Sequence, residues 1–332
     1  MAHYTIHTGD NQQILDLYPN DHFDAIITDP PYGIEFLGKD WDTNTGAINT
    51  WRQCLRVLKP GGYLLAFSAA RTYHHLASNI EQVGFEIRDQ LMWLYASGFP
   101  KAQDVGKAIQ RRQGVEEYEG FVDTTKNVGF GQTDHARVRA GVEWSTRETQ
   151  VGKAKCTSPE AQQWSGWKTA LKPAHEPIVM ARKPFKGSTI DNVLKHGVGA
   201  LNIDDSRVVD RFPSNVMGEI EGYQKFFYCP KVSRRERHCG YEQPQDFKGN
   251  NHPTVKPVAL MRYLIKLVTP PNSKVLDPFT GSGSTGMAAC ELGHTFVGCE
   301  LDPHYVTIAK RRIEGWCKPQ DNSTYEALFE DE

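Results

Sequence analysis

The chain has 332 residues, which is room for one large domain or for one domain with an insert. Hydrophobic residues make up 39% of the chain, enough for a sizeable core, and no apolar run approaches the ~18 residues of a membrane helix, so we expect no membrane association. The seven cysteines form no Cys-x-x-Cys pair and the first residues carry no export signal, which favours reduced thiols in a cytosol and no metal site.

Charge is unevenly distributed along the chain, although the net value is only -2. Residues 101–250 contain 24 Lys and Arg against 19 Asp and Glu, a net charge of +5, and the remaining residues carry -7. The net value alone argues against a nucleic-acid-binding protein. A basic middle between acidic ends is nevertheless compatible with a surface that faces phosphates.

The N-terminal third alternates between strand and helix patterns. Residues 4–7 predict a short strand, Asp10 follows it, and a helix carrying Ile14 comes next. Further elements follow in order: a buried strand at 23–28, a helix at 51–58 that 59–62 ends, a strand at 63–67, a helix at 71–83, and one or two strands at 85–95. This alternation indicates a mostly parallel sheet with covering helices.

A rigid turn follows the second strand, with the sequence Asp29-Pro30-Pro31-Tyr32. The two prolines allow neither a helix nor a continued ladder, so the turn holds Asp29 and Tyr32 at the carboxyl end of a strand. Ligands gather at that edge in open parallel sheets.

The middle of the chain breaks the alternating pattern. Residues 104–113 predict a short basic helix, residues 114–164 a long polar loop or insert, and residues 177–182 a strand. Residues 185–250 look irregular and contain a basic cluster, which is either solvated surface or a set of phosphate contacts. The cluster consists of Lys231, Arg234, Arg235 and Arg237.

The C-terminal part contains a glycine turn between a strand and a helix. An apolar helix is predicted at 258–268, then the turn, and a last helix at 305–316. Gly281, Gly283 and Gly286 fit G-x-G-x-x-G, which lets backbone approach a nucleotide-type ligand. Glu300 lies 19 residues past Gly281, where a carboxylate can accept both hydroxyls of a ribose.

The late position of this turn decides the topology. The residues after Gly286 supply too few strands for a covered parallel sheet, so the missing strands must come from the N-terminal part. We therefore expect residues 1–99 and about 252–318 to share one sheet, in a permuted doubly wound fold. That arrangement brings Asp29 and Tyr32 to the same edge as Gly281.

The turn at Asp29 suits an exocyclic amino group on a nucleic-acid base. The Asp29 carboxylate and the Pro30 carbonyl can accept the two N–H donors and draw the nitrogen towards tetrahedral geometry, which frees its lone pair. Tyr32 can stack on the ring, worth ~1–3 kcal/mol per base. An electrophile held by the glycine turn would then meet the lone pair in line.

These two motifs together resemble the amino-group DNA methyltransferases that use S-adenosylmethionine. The order, with the catalytic motif first and the cofactor motif last, resembles the beta class of that family, including phage and prophage members. The resemblance covers about 1–99 and 170–318. It implies a circularly permuted, Rossmann-like α/β methyltransferase fold with an inserted target-recognition region, acting on double-stranded DNA whose target base leaves the duplex.

The resemblance also implies the role of each site residue. The catalytic turn is Asp29, Pro30, Pro31 and Tyr32, in which Asp29 can also contact the cofactor. The expected cofactor residues are Asp10, Asp29, Thr254, Lys256, Asp277, Pro278, Phe279, Gly281, Ser282, Gly283 and Glu300. Lys231, Arg234, Arg235 and Arg237 are candidate DNA contacts. No metal is expected, and a homodimer is a candidate assembly because dimers are common in the class.

The expected organisation has six parts. They are a catalytic half at 1–99, a polar insert at 100–170 that is a candidate DNA contact, a strand of the catalytic domain at 171–184, a target-recognition region at 185–250, a cofactor half at 251–318 and a tail at 319–332.

Adenine N6 is the favoured target and cytosine N4 the alternative, because Asp at position 29 is commoner among adenine enzymes of the family. Methylation of cytosine C5 is disfavoured, since it needs a Cys nucleophile and no Pro-Cys pair occurs here. Methylation of RNA or of a protein amide, an NAD-dependent oxidoreductase and a non-catalytic DNA-binding protein are more distant alternatives.

Overall fold

The computed structural model describes residues 3–34, 42–95, 102–114, 118–119, 153–154, 156–208, 210–218, 231–241 and 249–317. The strands within them are β1 (Tyr4–Thr8), β2 (Phe23–Thr28), β3 (Leu58–Phe67), β4 (Glu86–Leu94), β5 (Tyr118–Glu119), β6 (Lys153–Ala154), β7 (His175–Arg182), β8 (Val216–Gly218), β9 (Lys274–Asp277) and β10 (Thr295–Glu300). The helices are α1 (Asn11–Asp16), α2 (Ile48–Val57), α3 (Tyr73–Gln82), α4 (Val105–Arg112), α5 (Pro159–Gln163), α6 (Thr189–His196), α7 (Arg234–Arg237), α8 (Val258–Val268), α9 (Ser284–Glu291) and α10 (Pro303–Cys317).

Strands from both ends of the chain interleave in one eight-stranded sheet. Their order is β1-β10-β9-β2-β3-β7-β4-β8. All neighbouring pairs are parallel except those of β7, which runs antiparallel to β3 and β4. The pairings of β1 with β10 and of β2 with β9 confirm the permuted, mostly parallel fold that the late glycine turn predicted.

The central strand β2 explains why helices cover both faces of the sheet. All six of its residues are buried, and successive side chains point to opposite faces. Ala25 and Ile27 join the core cluster that includes Leu264 of α8. Ile26 joins the opposite cluster, which includes Trp51 of α2.

Strand β3 begins earlier than predicted. It starts at Leu58, directly after α2, so the segment 59–62 lies inside the strand and not in a break before it. The register against β2 shifts between Phe23 and Ala25, and Gly61 has a φ of +81° there. A bulge accommodates the Pro-Gly-Gly sequence without ending the strand.

Helix α6 was missed because residues 185–250 looked irregular. Its start is a capping box, in which the Ser188 hydroxyl accepts a hydrogen bond from the Asp191 amide at 3.1 Å and the Asp191 carboxylate contacts the Ser188 amide. Gly197, with a φ of +72°, ends it. Both signals were present in the sequence. Strand β8 of the same region pairs with β4 at the edge of the main sheet.

The chain divides into two compact units, residues 1–97 with 174–332, and residues 98–173. In the second unit α4 packs on α5, and β5 pairs with β6. Helix α4 lies where the short basic helix was predicted, whereas α5 replaces the end of the predicted loop. Most of that loop and the predicted tail lie outside the described residues. Within the described part of the chain, no helix is long and apolar enough to span a membrane.

Candidate active site

Four neighbouring strands end at one edge of the sheet, and a carboxylate lies at or just after the end of each. Asp10 follows β1, Glu300 ends β10, Asp277 ends β9 and Asp29 follows β2. Strand β7 begins at the same edge because it is antiparallel, and this adds Glu176. The sequence prediction that Asp29 and the glycine turn share an edge is therefore confirmed.

The backbone after Asp29 is held by the carboxylate of Asp42, which no sequence pattern had indicated. Asp42, which is buried, accepts hydrogen bonds from the amides of Tyr32 at 2.6 Å, Gly33 at 3.0 Å and Ile34 at 3.3 Å. Three backbone donors on one carboxylate fix the path of the chain after the two prolines.

Asp29 belongs to a cluster of four side chains drawn from three distant parts of the chain. The Lys256 ammonium contacts Asp29 Oδ2 and lies 3.4 Å from Glu176 Oε2. The Tyr32 hydroxyl is 2.8 Å from Asp29 Oδ1 and 3.0 Å from Glu176 Oε2, so it can donate a hydrogen bond to either carboxylate. Lys256 was predicted near the methionine end of the cofactor, and the structure connects it directly to the catalytic turn.

Burial and mutual interaction shift the pKa values in this cluster. Burial raises the pKa of Asp29, Lys256 opposes that rise and Glu176 adds to it. Burial by itself would lower the pKa of Lys256, but the carboxylates of Asp29 and Glu176 outweigh it and raise that pKa. Burial and the two carboxylates raise the pKa of Tyr32 well above its ordinary value. Lys256 is therefore a fixed cation shared by two carboxyl groups.

The glycine turn after β9 depends on two left-handed residues. Gly281 has a φ of +52° and Gly283 a φ of +83°, conformations that other residues rarely adopt. A Cβ on Gly281 would lie 2.8 Å from His252 Nε2, in the segment that continues to Thr254 and Lys256. The turn thus runs close beside that segment and leads into helix α9, whose amino end can face a ligand.

Asp277 fixes the turn from inside the protein. Its carboxylate accepts hydrogen bonds from the hydroxyls of Thr28 and Thr285, both at 2.7 Å, and from the Phe279 amide at 3.0 Å. Burial raises the pKa of Asp277 to about 6, against these three donors. With both oxygens engaged by the protein, Asp277 positions the turn.

Other predicted residues of the turn have defined neighbours. The Pro278 carbonyl accepts a hydrogen bond from Asn11 at 3.1 Å. The Phe279 ring lies 5.9 Å from the ring of Trp51 on α2. The guanidinium of Arg312 donates a hydrogen bond to the Ser282 carbonyl at 2.6 Å and contacts the Ser282 hydroxyl at 3.1 Å.

Glu300 ties the end of β10 to the glycine turn. Its Oε2 accepts a hydrogen bond from the Gly281 amide at 2.8 Å, and its Oε1 accepts one from the Asp302 amide at 2.9 Å. Each carboxylate oxygen keeps a further lone pair for a ligand. Asp10 caps helix α1, accepting from the Gln12 amide at 2.8 Å, and its side chain is exposed.

The four residues of the basic cluster have different surroundings. Arg237 is partly buried and donates to the His252 carbonyl at 2.8 Å, so it supports the wall beside the glycine turn. Lys231 lies 3.9 Å from the centre of the Tyr95 ring, and burial lowers its pKa. Arg234 and Arg235 are exposed on α7.

Three residues of the site were missed by sequence reasoning. Glu176 directly precedes the strand predicted at 177–182, but its contact with Lys256 depends on the antiparallel direction of β7. Asp42 had no sequence signal. Arg312 is fully buried on α10, and it joins Ser282 to the Glu236 carbonyl at 3.3 Å. Glu236 in turn accepts from the first amide of α8, that of Val258, at 2.6 Å.

Comparison with known proteins decides the family. The model of DNA methylases of the N6/N4 type matches residues 23–311. The chain belongs to this family. It is a DNA amino-methyltransferase, and S-adenosylmethionine is its methyl donor, as the resemblance implied.

Individual relatives agree with this membership. The chain is 27% identical over 335 aligned positions to the Type II methyltransferase M.HindIII of Haemophilus influenzae, covering 87% of this chain and 88% of the relative. Among solved structures, the cytosine-N4-specific PvuII DNA methyltransferase matches with a TM-score of 0.58 and 15% identity, covering 98% and 90% of the two chains. M1.HpyAVI in complex with S-adenosylmethionine matches with a TM-score of 0.50 and 19% identity, covering 93% and 99%. At these identities the two structures show the shared fold.

The donor set of the site fits this cofactor. S-adenosylmethionine carries a ribose diol in its adenosine half and an ammonium in its methionine half, and carboxylates suit both groups. Glu300 and Asp10 lie on one side of the Gly281 turn and Asp29 on the other, because β10 and β1 flank β9 on one side and β2 on the other. The turn itself offers backbone without side chains at Gly281 and Gly283.

Proposed function

We propose that the chain methylates the exocyclic N6 of adenine at specific sites in double-stranded DNA, after the target base has left the duplex. The observation that carries this proposal is the Asp29 carboxylate, which is held at the sheet edge by Tyr32 and Lys256 beside the glycine turn. An acidic residue at this position is the variant that the family's adenine enzymes favour.

The residues of the turn bind and orient the target amine. Asp29 and the Pro30 carbonyl accept its two N–H bonds, and the Tyr32 ring packs on the face of the base. Positive charge that develops on the nitrogen faces two carboxyl groups and one ammonium, so the cluster favours it. When bound, the cofactor supplies an electrophilic methyl group on a sulfonium. Asp29 can accept the proton that the methylated amine loses.

The remaining site residues hold the cofactor in this proposal. Glu300 accepts from the ribose hydroxyls, and Asp10 lies towards the adenine end. Phe279, Gly281 and Gly283 cradle the methionine part. Asp277, Pro278 and Ser282 keep the turn in shape, whereas Thr254 and Lys256 form the wall near the methionine end.

Cytosine N4 is the alternative target, because it presents the same pair of N–H donors beside a ring nitrogen. Digestion of DNA methylated by the purified enzyme, followed by mass spectrometry of the nucleosides, separates the two. We expect N6-methyladenine, and N4-methylcytosine as the product would contradict the adenine assignment.

Membership of the DNA methylase family argues against the oxidoreductase alternative. Turnover on DNA tests the other alternative, a non-catalytic DNA-binding protein. We place the activity in the cytoplasm, as the modification half of a restriction–modification system, because the relative M.HindIII is a Type II methyltransferase. The homodimer stays a prediction that light scattering can test.

A further inference from the structure

Two exposed tryptophans stand out in the unit formed by residues 98–173. Trp164 is 40% exposed and Trp167 is 61% exposed, and their rings meet edge to face with centroids 5.3 Å apart. Leu171, 92% exposed, follows them in the chain. Large apolar side chains grouped on a surface usually mark a contact with a partner.

The backbone that carries the tryptophans is hydrogen-bonded to its neighbours. Trp164 directly follows α5, and its amide donates to the Glu160 carbonyl at 3.3 Å. The Trp167 carbonyl accepts from the Val105 amide, at the start of α4, at 3.0 Å. Helices α4 and α5 approach so closely that a Cβ on Gly106 would lie 2.7 Å from the Ala161 carbonyl. The scaffold therefore fixes the backbone of both tryptophans.

The described part of this unit carries an excess of basic side chains, which suits a polyanion. Its residues with described side chains include five basic side chains and two acidic ones. The basic residues are Lys107, Arg111, Arg112, Lys168 and Lys172. Both acidic groups are engaged locally, since Asp104 caps α4 and Glu160 accepts from Gln113 at 3.2 Å. Aromatic faces between cations are the recurrent means of binding unstacked bases.

We propose that Trp164 and Trp167 form a stacking platform for an unpaired base of DNA, with Lys168 and Lys172 contacting the adjoining phosphates. This proposal rests on DNA being the substrate. Besides the contact proposed for Tyr32, it assigns base contact to the unit that precedes β7, and not to the basic cluster around α7. A second copy of the chain is the rival occupant, and the experiment below separates the two.

The test uses two fluorescein-labelled duplexes of 25 base pairs, one fully paired and one with a single unpaired adenine, and measures Kd by anisotropy with the full chain. Trp164→Ala with Trp167→Ala should weaken binding of the unpaired-base duplex about tenfold or more, because stacking contributes ~1–3 kcal/mol per base. Phe at both positions keeps a flat ring and should stay within about threefold. Leu194→Ala, which removes an exposed apolar side chain on α6, is the matched control and should leave Kd unchanged.

Two further measurements keep the proposal falsifiable if the alanine variant folds poorly. DNA should quench the tryptophan emission of the wild-type chain, and the Phe variant should lose that part of the quenching. Lys168→Gln with Lys172→Gln should reduce the slope of log K against log salt by roughly 2. Any of three results would overturn the proposal. The wild type and the alanine variant could have equal Kd values, or DNA could quench the Phe variant as strongly as the wild type. Light scattering could also show that the alanine variant loses a dimer while its DNA binding stays intact. Since binding is measured without turnover, a missing methylated product would count against the proposed function alone.

Discussion

The Lys256 ammonium and the Asp29 carboxylate form a largely buried ion pair, although 227 positions separate them in the chain. Asp29 follows strand β2 of the N-terminal part, and Lys256 precedes helix α8 of the C-terminal part. The pair therefore joins the turn that is proposed to bind the target amine to the segment beside the glycine turn. Glu176 of β7 and Tyr32 complete the cluster.

Replacing Lys256 by Met should damage both stability and activity. The change leaves Asp29 and Glu176 buried beside each other without their shared cation. Breaking such a pair costs about 3–5 kcal/mol, which urea unfolding measures. We also expect kcat to fall at least about 100-fold, since Asp29 loses its position.

A double variant provides the control for that change. Glu176→Gln combined with Lys256→Met removes one of the two facing carboxylates, so it should be more stable than Lys256→Met alone. If the two variants are equally unstable, the repulsion between Asp29 and Glu176 is not the cause of the loss.

Tyr32→Phe separates the hydroxyl of Tyr32 from its ring. The variant loses the contacts with Asp29 and Glu176 but keeps a flat face for the base. We expect kcat to fall about tenfold to 100-fold, with the Kd for DNA changed by less than about threefold. Tyr32→Ala should lose DNA affinity as well. A Phe variant with full kcat would show that the hydroxyl has no part in orienting Asp29.

Glu300→Gln should weaken cofactor binding. The amide that replaces one carboxylate oxygen cannot accept a hydrogen bond, so either the Gly281 or the Asp302 amide loses its partner, and the charge that favours ribose hydroxyls is gone. Calorimetry should give a Kd for S-adenosylmethionine at least about tenfold higher. Glu81→Gln, an exposed change on α3, should leave it unaltered.

Asp277 predicts a specific dependence of stability on pH. Its pKa in the folded protein is about 6, above that of a carboxyl group in the unfolded chain. The stability it contributes is therefore fully present below pH ~4 and is lost as the pH rises through about 6. The free energy of unfolding of the wild type, less that of Asp277→Asn, should fall over this interval by up to about 3 kcal/mol. A flat difference would contradict the raised pKa.

The sequence alone predicted the site residues whose role depends on their neighbours in the chain. The prolines and Asp29 define a turn without any tertiary information, and Gly281 and Gly283 define a strand-to-helix turn. The position of that turn then required a shared sheet, and the pairing of β1 with β10 confirmed it.

Contacts made across the fold could not be predicted in the same way. Glu176 reaches Lys256 because β7 runs antiparallel to its neighbours β3 and β4, and no local sequence pattern predicts that direction. Asp42 accepts hydrogen bonds from the amides of Tyr32, Gly33 and Ile34, and no local pattern predicts that contact. Composition made Arg237 a candidate phosphate contact, and its hydrogen bond to the His252 carbonyl depends on how α7 and the segment before Lys256 fold together.

Transfer of a labelled methyl group from S-adenosylmethionine to DNA by the wild type and by Asp29→Ala tests the central role of Asp29 most directly. The wild type should incorporate label into DNA as N6-methyladenine. Asp29→Ala should incorporate none, while calorimetry still detects S-adenosylmethionine binding and shows that the cofactor site is intact. Full methyl transfer by Asp29→Ala would contradict the account.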